Sequence, residues 1–183
     1  GWETLAAFYR DADRHEDALR AFARACEADP QNTRFLEAMA REALALRRPQ
    51  EASVALQAAL AVDDEDARTW DLLGSAHTAS GRHDEAVVAH RRSLTLQGRD
   101  GMVWYNLGNA YLLANDAVAA IAAYEEAVIW GGKRPELSYN RGLAYESLAD
   151  WSAAKASYEE ALADKSDYTA AKTRLAAVEE LLD

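Results

Sequence analysis

Residues of similar size and chemistry recur every 34 positions along this sequence, and this period constrains the fold more than any other feature. Trp70 and Trp104 are 34 residues apart, and the spacing continues in both directions without a gap. One column is alanine at every position: Ala18, Ala52, Ala86, Ala120 and Ala154. A period of this length is typical of an array in which each unit is one supersecondary structure that packs on its neighbours.

Small and large residues occupy separate columns of the repeat. Gly74, Gly108 and Gly142 share one column, and Tyr124 and Tyr158 share another. We expect the glycines to let two helices of a unit approach closely, because a larger side chain would push them apart. The aromatic side chains would then fill the remaining space.

Each unit contains two amphipathic segments with apolar residues three and four positions apart, which predicts two α-helices. Short breakers such as residues 80–85 and 114–118 separate the two segments. Pro30, Gly98 and Gly132 end the second helix of a unit. No stretch alternates as a strand does, so the predicted fold class is all-α.

The charge of the chain limits its partners. Acidic side chains outnumber basic ones by 31 to 20, for a net charge of −11, which disfavours nucleic acid and anionic membranes. No window approaches the roughly 18 apolar residues of a membrane span, and residues 1–10 do not resemble a signal peptide. We expect a soluble protein, with the cytoplasm as the default location. The chain begins at Gly1, as expected for an excised piece of a longer protein or a tag remnant.

The segment WYNLGNAY at 104–111, with the Trp, Leu, Gly, Tyr, Ala and Pro columns at this period, closely resembles the tetratricopeptide repeat. The resemblance implies a right-handed superhelical solenoid that forms a single array over residues 1–183. The implied repeats are 1–32, 33–66, 67–100, 101–134 and 135–168, followed by a capping helix at 169–183. In that helix, Leu175, Val178 and Leu182 would face the last hairpin.

Members of this family commonly bind a peptide or an extended segment of a partner protein in a concave groove lined by the first helices. We therefore predict a protein-interaction scaffold. The predicted peptide-binding residues are Met102, Tyr105, Asn106, Asn109, Leu113, Tyr139, Asn140, Leu143 and Arg174. Asparagine carries both a donor and an acceptor and can hold a peptide backbone, whereas tyrosine and leucine would supply apolar anchors. Alternatively, these asparagines are ordinary solvated residues.

Basic residues mark a second, separate part of the predicted groove. Arg34, Arg41 and Arg68 lie in the N-terminal half of the groove, which would suit acidic ligands. Some family members grip a terminal carboxylate with two lysines, two asparagines and an arginine. Asn109, Asn140 and Arg174 match three of those places, but Tyr105 and Ala170 replace the lysines, so much of the positive charge is missing.

Few residues suggest chemistry. His77 and His90 occupy facing aromatic columns, where paired imidazoles could bind metal, but a structural role filling ring-sized spaces is favoured. Cys26 has no evident base nearby, and the adjacent Glu159 and Glu160 read as a solvated helix face. We predict that the chain is not an enzyme and has no catalytic residue, no metal and no cofactor.

Two alternatives remain beside peptide binding. The N-terminal hairpin, with Trp2 at its edge, has no predicted cover and could drive homo-oligomer assembly. The chain could instead be the substrate-recruiting arm of a larger enzyme. The partner's identity does not follow from the sequence.

Overall fold

The computed structural model describes residues 1–182 and confirms the all-α prediction. These residues form eleven α-helices and no strand. The helices are α1 (Trp2–Asp11), α2 (His15–Ala28), α3 (Thr33–Ala45), α4 (Pro49–Val62), α5 (Ala67–Ala79), α6 (His83–Leu96), α7 (Gly101–Leu113), α8 (Ala117–Gly131), α9 (Pro135–Ser147), α10 (Trp151–Asp164) and α11 (Thr169–Leu182). Within the described residues, none of the helices is both long enough and apolar enough to cross a membrane.

The chain divides into two compact units, Gly1–Gly98 and Arg99–Asp183. Unit 1 contains α1 to α6, and unit 2 contains α7 to α11. Within each unit, every helix packs against the next one along the chain. The single array over residues 1–183 and the boundaries of its repeats stay a prediction.

The turn between the two helices of a pair has one backbone conformation throughout. Its central residue lies in the left-handed region, with φ of 58° at Asp13, 57° at Arg47, 73° at Gly81, 63° at Asn115 and 54° at Ala149. These positions are again 34 residues apart. The next backbone N–H turns back to a carbonyl of the first helix, as in Arg82 N to His77 O at 2.9 Å and Asp150 N to Tyr145 O at 3.0 Å. Only one of the five positions is glycine, although glycine adopts this conformation at the lowest cost.

Replacing Ala149 by glycine is therefore expected to raise the free energy of unfolding by about 1 kcal/mol, because the left-handed conformation strains a residue with a Cβ. Gly81→Ala is the matched control, since a Cβ there would meet nothing within 4 Å and only the backbone strain would act. We expect that change to destabilise the protein by a similar amount. Urea denaturation of both variants checks the pair, and destabilisation by Ala149→Gly would contradict the assignment.

The core of each unit follows the predicted columns. In unit 2, Tyr124 and Tyr158 are completely buried. A Cβ built on Gly108 would lie 2.5 Å from Tyr124 Cε1, and one on Gly142 would lie 2.5 Å from Tyr158 Cε1. In unit 1, Gly74 meets the buried ring of His90 in the same way. The glycine column thus makes room for the ring that follows it in the second helix.

Two details of unit 2 bear on the sequence predictions. Val178 is buried and Leu175 is partly buried against α10, as predicted, whereas Leu182 is 45% exposed and does not belong to this packed cluster. Asp183, the last residue of the predicted capping helix, lies outside the described residues. Glu160 is not part of a solvated face: it pairs with Arg141, and its Oε1 lies 2.5 Å from Lys133 Nζ. The hydrogen bond from Lys133 is the main reason that the pKa of Glu160 is lowered.

A buried carboxylate in unit 1 is paired with a histidine. Glu42 is 3% exposed, and its Oε2 lies 2.7 Å from His15 Nδ1. The other ring nitrogen, His15 Nε2, lies 3.0 Å from Asp13 Oδ1. The hydrogen bond with Glu42 is the main reason that the pKa of His15 is raised.

This pair makes the stability of unit 1 depend on pH. Because the pKa of His15 is higher in the folded chain, its contribution is fully present below the ordinary histidine pKa and is lost as the pH rises through the raised value. Urea denaturation between about pH 5 and pH 9 should show this loss. We expect the His15→Gln variant to lose that part of the pH dependence, and an unchanged profile would contradict the pairing.

Candidate functional site

A chain of hydrogen bonds joins polar side chains of α7, α8 and α9. Asn140 Nδ2 donates to Tyr105 Oη at 3.1 Å and to Asn109 Oδ1 at 2.9 Å. Tyr124 Oη donates to the same Asn109 oxygen at 2.8 Å. Tyr105, Asn109 and Asn140 are half-buried, so one side of the chain reaches solvent. Three predicted site residues are thus held together by bonds within the protein.

These bonds set what each amide can still offer. Asn140 uses both amide hydrogens within the protein, so its carbonyl oxygen keeps acceptor capacity. Asn109 accepts two hydrogen bonds at its oxygen, so its NH₂ group keeps donor capacity. The two side chains together can hold one N–H and one C=O of a ligand.

Tyrosine rings lie beside this polar chain. The Tyr139 ring centroid is 5.2 Å from that of Tyr168 and 5.7 Å from that of Tyr158. Tyr105 lies 6.1 Å from Tyr124 in the same manner. Tyr105, Tyr139 and Tyr168 are half-buried, whereas Tyr124 and Tyr158 are buried. The accessible rings offer apolar surface with hydroxyl groups at the edge.

A carboxylate occupies the end of the site next to α11. Tyr158 Oη donates to Glu146 Oε1 at 2.5 Å, and Arg174 Nη1 donates to Glu146 Oε2 at 3.3 Å. Burial and then this hydrogen bond raise the pKa of Tyr158, and the Glu146 carboxylate is the main cause of the raised pKa of Arg174. Arg174 therefore has its charge matched within the protein.

The remaining predicted site residues lie at the margin of this arrangement. Leu143 packs against the buried cluster of Ala154, Tyr158 and Val178. Arg134 contacts the sulfur of Met102. Leu113 is 49% exposed at the end of α7. Asn106 is half-buried on α7.

The arginines predicted to line the second part of the groove belong to unit 1. Arg34 and Arg68 are exposed on α3 and α5. Arg41 pairs with Glu37 one turn earlier on α3, with Nη2 2.8 Å from Oε2. One of the three positive charges is thus offset locally.

His77 and His90, the two histidines in facing columns of unit 1, have different surroundings. His90 is 1% exposed, and its Nδ1 lies 2.8 Å from Asp71 Oδ1. His77 Nδ1 is buried without a hydrogen-bond partner among the described residues, and burial is the main reason that its pKa is lowered. Within residues 1–182, no group of three or more His, Cys, Asp or Glu side chains is placed to hold a metal ion.

Comparison with protein families decides the class of the molecule. Models described as tetratricopeptide repeat match residues 1–42, residues 37–95 and 89–136, and residues 135–163. The chain belongs to the tetratricopeptide-repeat family. Tetratricopeptide-repeat proteins are generally non-enzymatic scaffolds. A comparison with curated protein sequences finds no match.

Solved structures support the tetratricopeptide-repeat fold. A crystal structure of MamA superposes with a TM-score of 0.83 at 24% identity, over 88% of this chain and 95% of that one. YrrB, described as having an unusual peptide-binding site, superposes with a TM-score of 0.81 at 16% identity, over 94% and 89%. The first such domain of Spaghetti (RPAP3), bound to the HSP90 peptide SRMEEVD, gives 0.61 at 21% identity, over 66% and 95%.

Two residues of this tetratricopeptide-repeat site were missed by the sequence reasoning. Glu146 stands one period after Leu112, on the open side of the first helix, and an acidic residue in that column was a usable signal. Tyr168 lies in the connection before α11, outside the columns of the first helices, and the repeat offered no signal for it.

Proposed function

We propose that the chain is an interaction scaffold that binds a peptide or extended segment of a partner protein on the face formed by α7, α9 and α11. The observation that carries this proposal is the hydrogen-bonded chain from Tyr105 through Asn140 to Asn109. It holds two amide groups in fixed positions at a half-exposed surface. Preorganised groups of this kind bind with less loss of side-chain entropy than mobile ones do.

The ligand would be held mainly through its backbone. Asn140 would accept from a peptide N–H and Asn109 would donate to a peptide carbonyl, while Tyr139 and Tyr168 would contact an apolar side chain. Backbone recognition tolerates many sequences, so the aromatic contacts would set the preference for one side chain.

The pairing of Arg174 with Glu146 bears on which part of a partner binds. A terminal carboxylate would have to compete with Glu146 for Arg174, and Tyr105 and Ala170 supply no positive charge in place of the missing lysines. We therefore propose that the ligand is an internal segment rather than a C-terminus. YrrB and the RPAP3 domain support peptide binding as a class of function on this fold, but not this site in particular.

Asn140→Ala is expected to weaken peptide binding about tenfold, because it removes the proposed acceptor and releases Asn109. The ligand for this test is selected from a random peptide library displayed on phage against the whole chain, and its affinity is measured by calorimetry. Val118→Ala is the matched control, since Val118 is 67% exposed on α8 of the same unit. Equal loss in both variants, or none in either, would refute the proposed site.

Self-association is the second candidate function. Trp2, Leu5 and Phe8 on α1 are 49%, 37% and 63% exposed, which is unusual for large apolar side chains. A molecular mass that rises with protein concentration, and no longer does so in Phe8→Ser, would favour this candidate.

A further inference from the structure

Unit 1 contains an open cleft of its own. It lies among α4, α5 and α6 and has a volume of about 580 Å³. Leu73 and His77 of α5 form its floor. Leu60 of α4 and Val88 of α6 line its sides. Pockets that bind small molecules commonly have volumes of about 300–1,000 Å³ and a largely apolar lining.

The same cleft occurs one repeat earlier. It lies among α2, α3 and α4 and has a volume of about 400 Å³. Met39, Ala43, Glu51 and Val54 line it, and each stands 34 positions before a residue that lines the first cleft. The two sites are therefore equivalent by the repeat, and we call them the α2/α4 cleft and the α4/α6 cleft.

Exposed apolar side chains stand at both clefts. Val54 is 66% exposed and Val88 is 65% exposed. A third cleft, at α1 and α2, has Arg20 at the corresponding position, so two of these three clefts present an exposed valine. Two equivalent apolar sites suit a polypeptide, because one chain can place an apolar side chain in each of them.

Carboxylates lie beside this apolar surface. Asp84 and Glu85 are exposed at the α4/α6 cleft, and Glu51 is exposed at the α2/α4 cleft, where Arg48 approaches it to 3.9 Å. Burial, and then the charge of the neighbouring Arg82, lower the pKa of His77, which disfavours a positive charge on this ring. The rim therefore complements a cation placed next to an apolar group.

We propose that the α2/α4 and α4/α6 clefts bind a polypeptide segment of a basic partner, each cleft taking one bulky apolar side chain that has a lysine or arginine next to it. The apolar side chain replaces water on Val54 or Val88, and the neighbouring cation faces Glu51, or Asp84 with Glu85. This surface belongs to unit 1 and does not depend on the proposed function of unit 2.

The first arm of the test uses the dipeptide amide acetyl-Trp-Lys-NH₂ as the probe and the ¹⁵N-labelled chain as the receptor. We expect its titration to shift the backbone amide signals of Val88 and Ala89, and those of Val54. Acetyl-Trp-Glu-NH₂ should bind about two- to fivefold more weakly, and the difference should shrink at high salt. Equal binding of the two probes, or shifts only in α7, α9 and α11, would overturn the proposal.

The second arm tests the pairing of the clefts. A peptide with two Trp-Lys pairs joined by about eight glycine and serine residues should bind about tenfold more tightly than the single pair, or better still. Val54→Asp and Val88→Asp each place a charge in one cleft at an exposed position. Each should abolish the tighter binding of the two-pair peptide without unfolding the chain. The Asn140→Ala variant should keep this tighter binding. Tryptamine that binds as well as the paired peptide would instead make these clefts small-molecule sites and overturn the polypeptide assignment.

Discussion

Tyr124→Ala is expected to lower the free energy of unfolding by about 3–5 kcal/mol, the usual cost of deleting a large buried aromatic side chain. Tyr124 is completely buried and packs with Ala117, Ala120 and Leu137 in the core of unit 2. Its ring also fills the space beside Gly108, where a Cβ would come within 2.5 Å of it. With little room for neighbouring helices to collapse, the cavity should persist. Urea denaturation followed by circular dichroism measures the change.

Tyr124→Phe separates the ring from the hydroxyl. The phenylalanine variant keeps the packing but leaves Asn109 Oδ1 without the 2.8 Å hydrogen bond from Tyr124. Asn109 Oδ1 still accepts from Asn140, so we expect a loss of about 0.5–1.5 kcal/mol, clearly smaller than that of the alanine variant. A loss below about 1 kcal/mol for Tyr124→Ala would show that this side chain does not hold unit 2 together.

The second large effect is expected at the crossing of α7 and α8. A Cβ on Gly101 would lie 2.4 Å from both Cα and N of Gly131, where no side chain can move aside. Gly101→Ala should therefore lower the free energy of unfolding by about 3 kcal/mol, at the upper end of ordinary overpacking. Thermal and urea denaturation both measure it.

Gly131→Ala is the control for this crossing. The new Cβ would be 3.0 Å from Gly101 Cα and 3.4 Å from Gly101 C, which needs a shift of only a few tenths of an ångström. Alanine also favours the helix by up to about 1 kcal/mol relative to glycine, so the net change should be small. Equal destabilisation by the two substitutions would contradict the close approach.

The fold was predictable because the same pattern of small, apolar and turn residues recurs in several repeats. The all-α class and the family follow from the 34-residue period, and the breakers at 80–85 and 114–118 lie where α5 gives way to α6 and α7 to α8. Arg141 stands in a column that is otherwise apolar, with Leu73 and Leu107 at the preceding positions. It is accommodated because Glu160 and Ser157 lie within reach of its guanidinium, and such a partner is visible only once the helices are placed.

The candidate site was predictable in its residue types and not in its bonds. Tyr105, Asn109 and Asn140 stand in first-helix columns, but their mutual hydrogen bonds depend on how closely α7 and α9 approach. The engagement of Arg174 by Glu146 likewise joins residues 28 positions apart. The clefts at Val54 and Val88 were not predictable from the sequence because each is formed by three helices. The 34-residue period identifies equivalent residues but does not show the space between the helices.

The most direct measurement is an NMR titration of the ¹⁵N-labelled chain with the selected peptide, read at the side-chain amide signals of asparagine. The proposed function predicts that the largest shifts fall on the amides of Asn109 and Asn140 and on backbone signals of α7, α9 and α11. Shifts confined to α4, α5 and α6, with the asparagine signals unmoved, would contradict it.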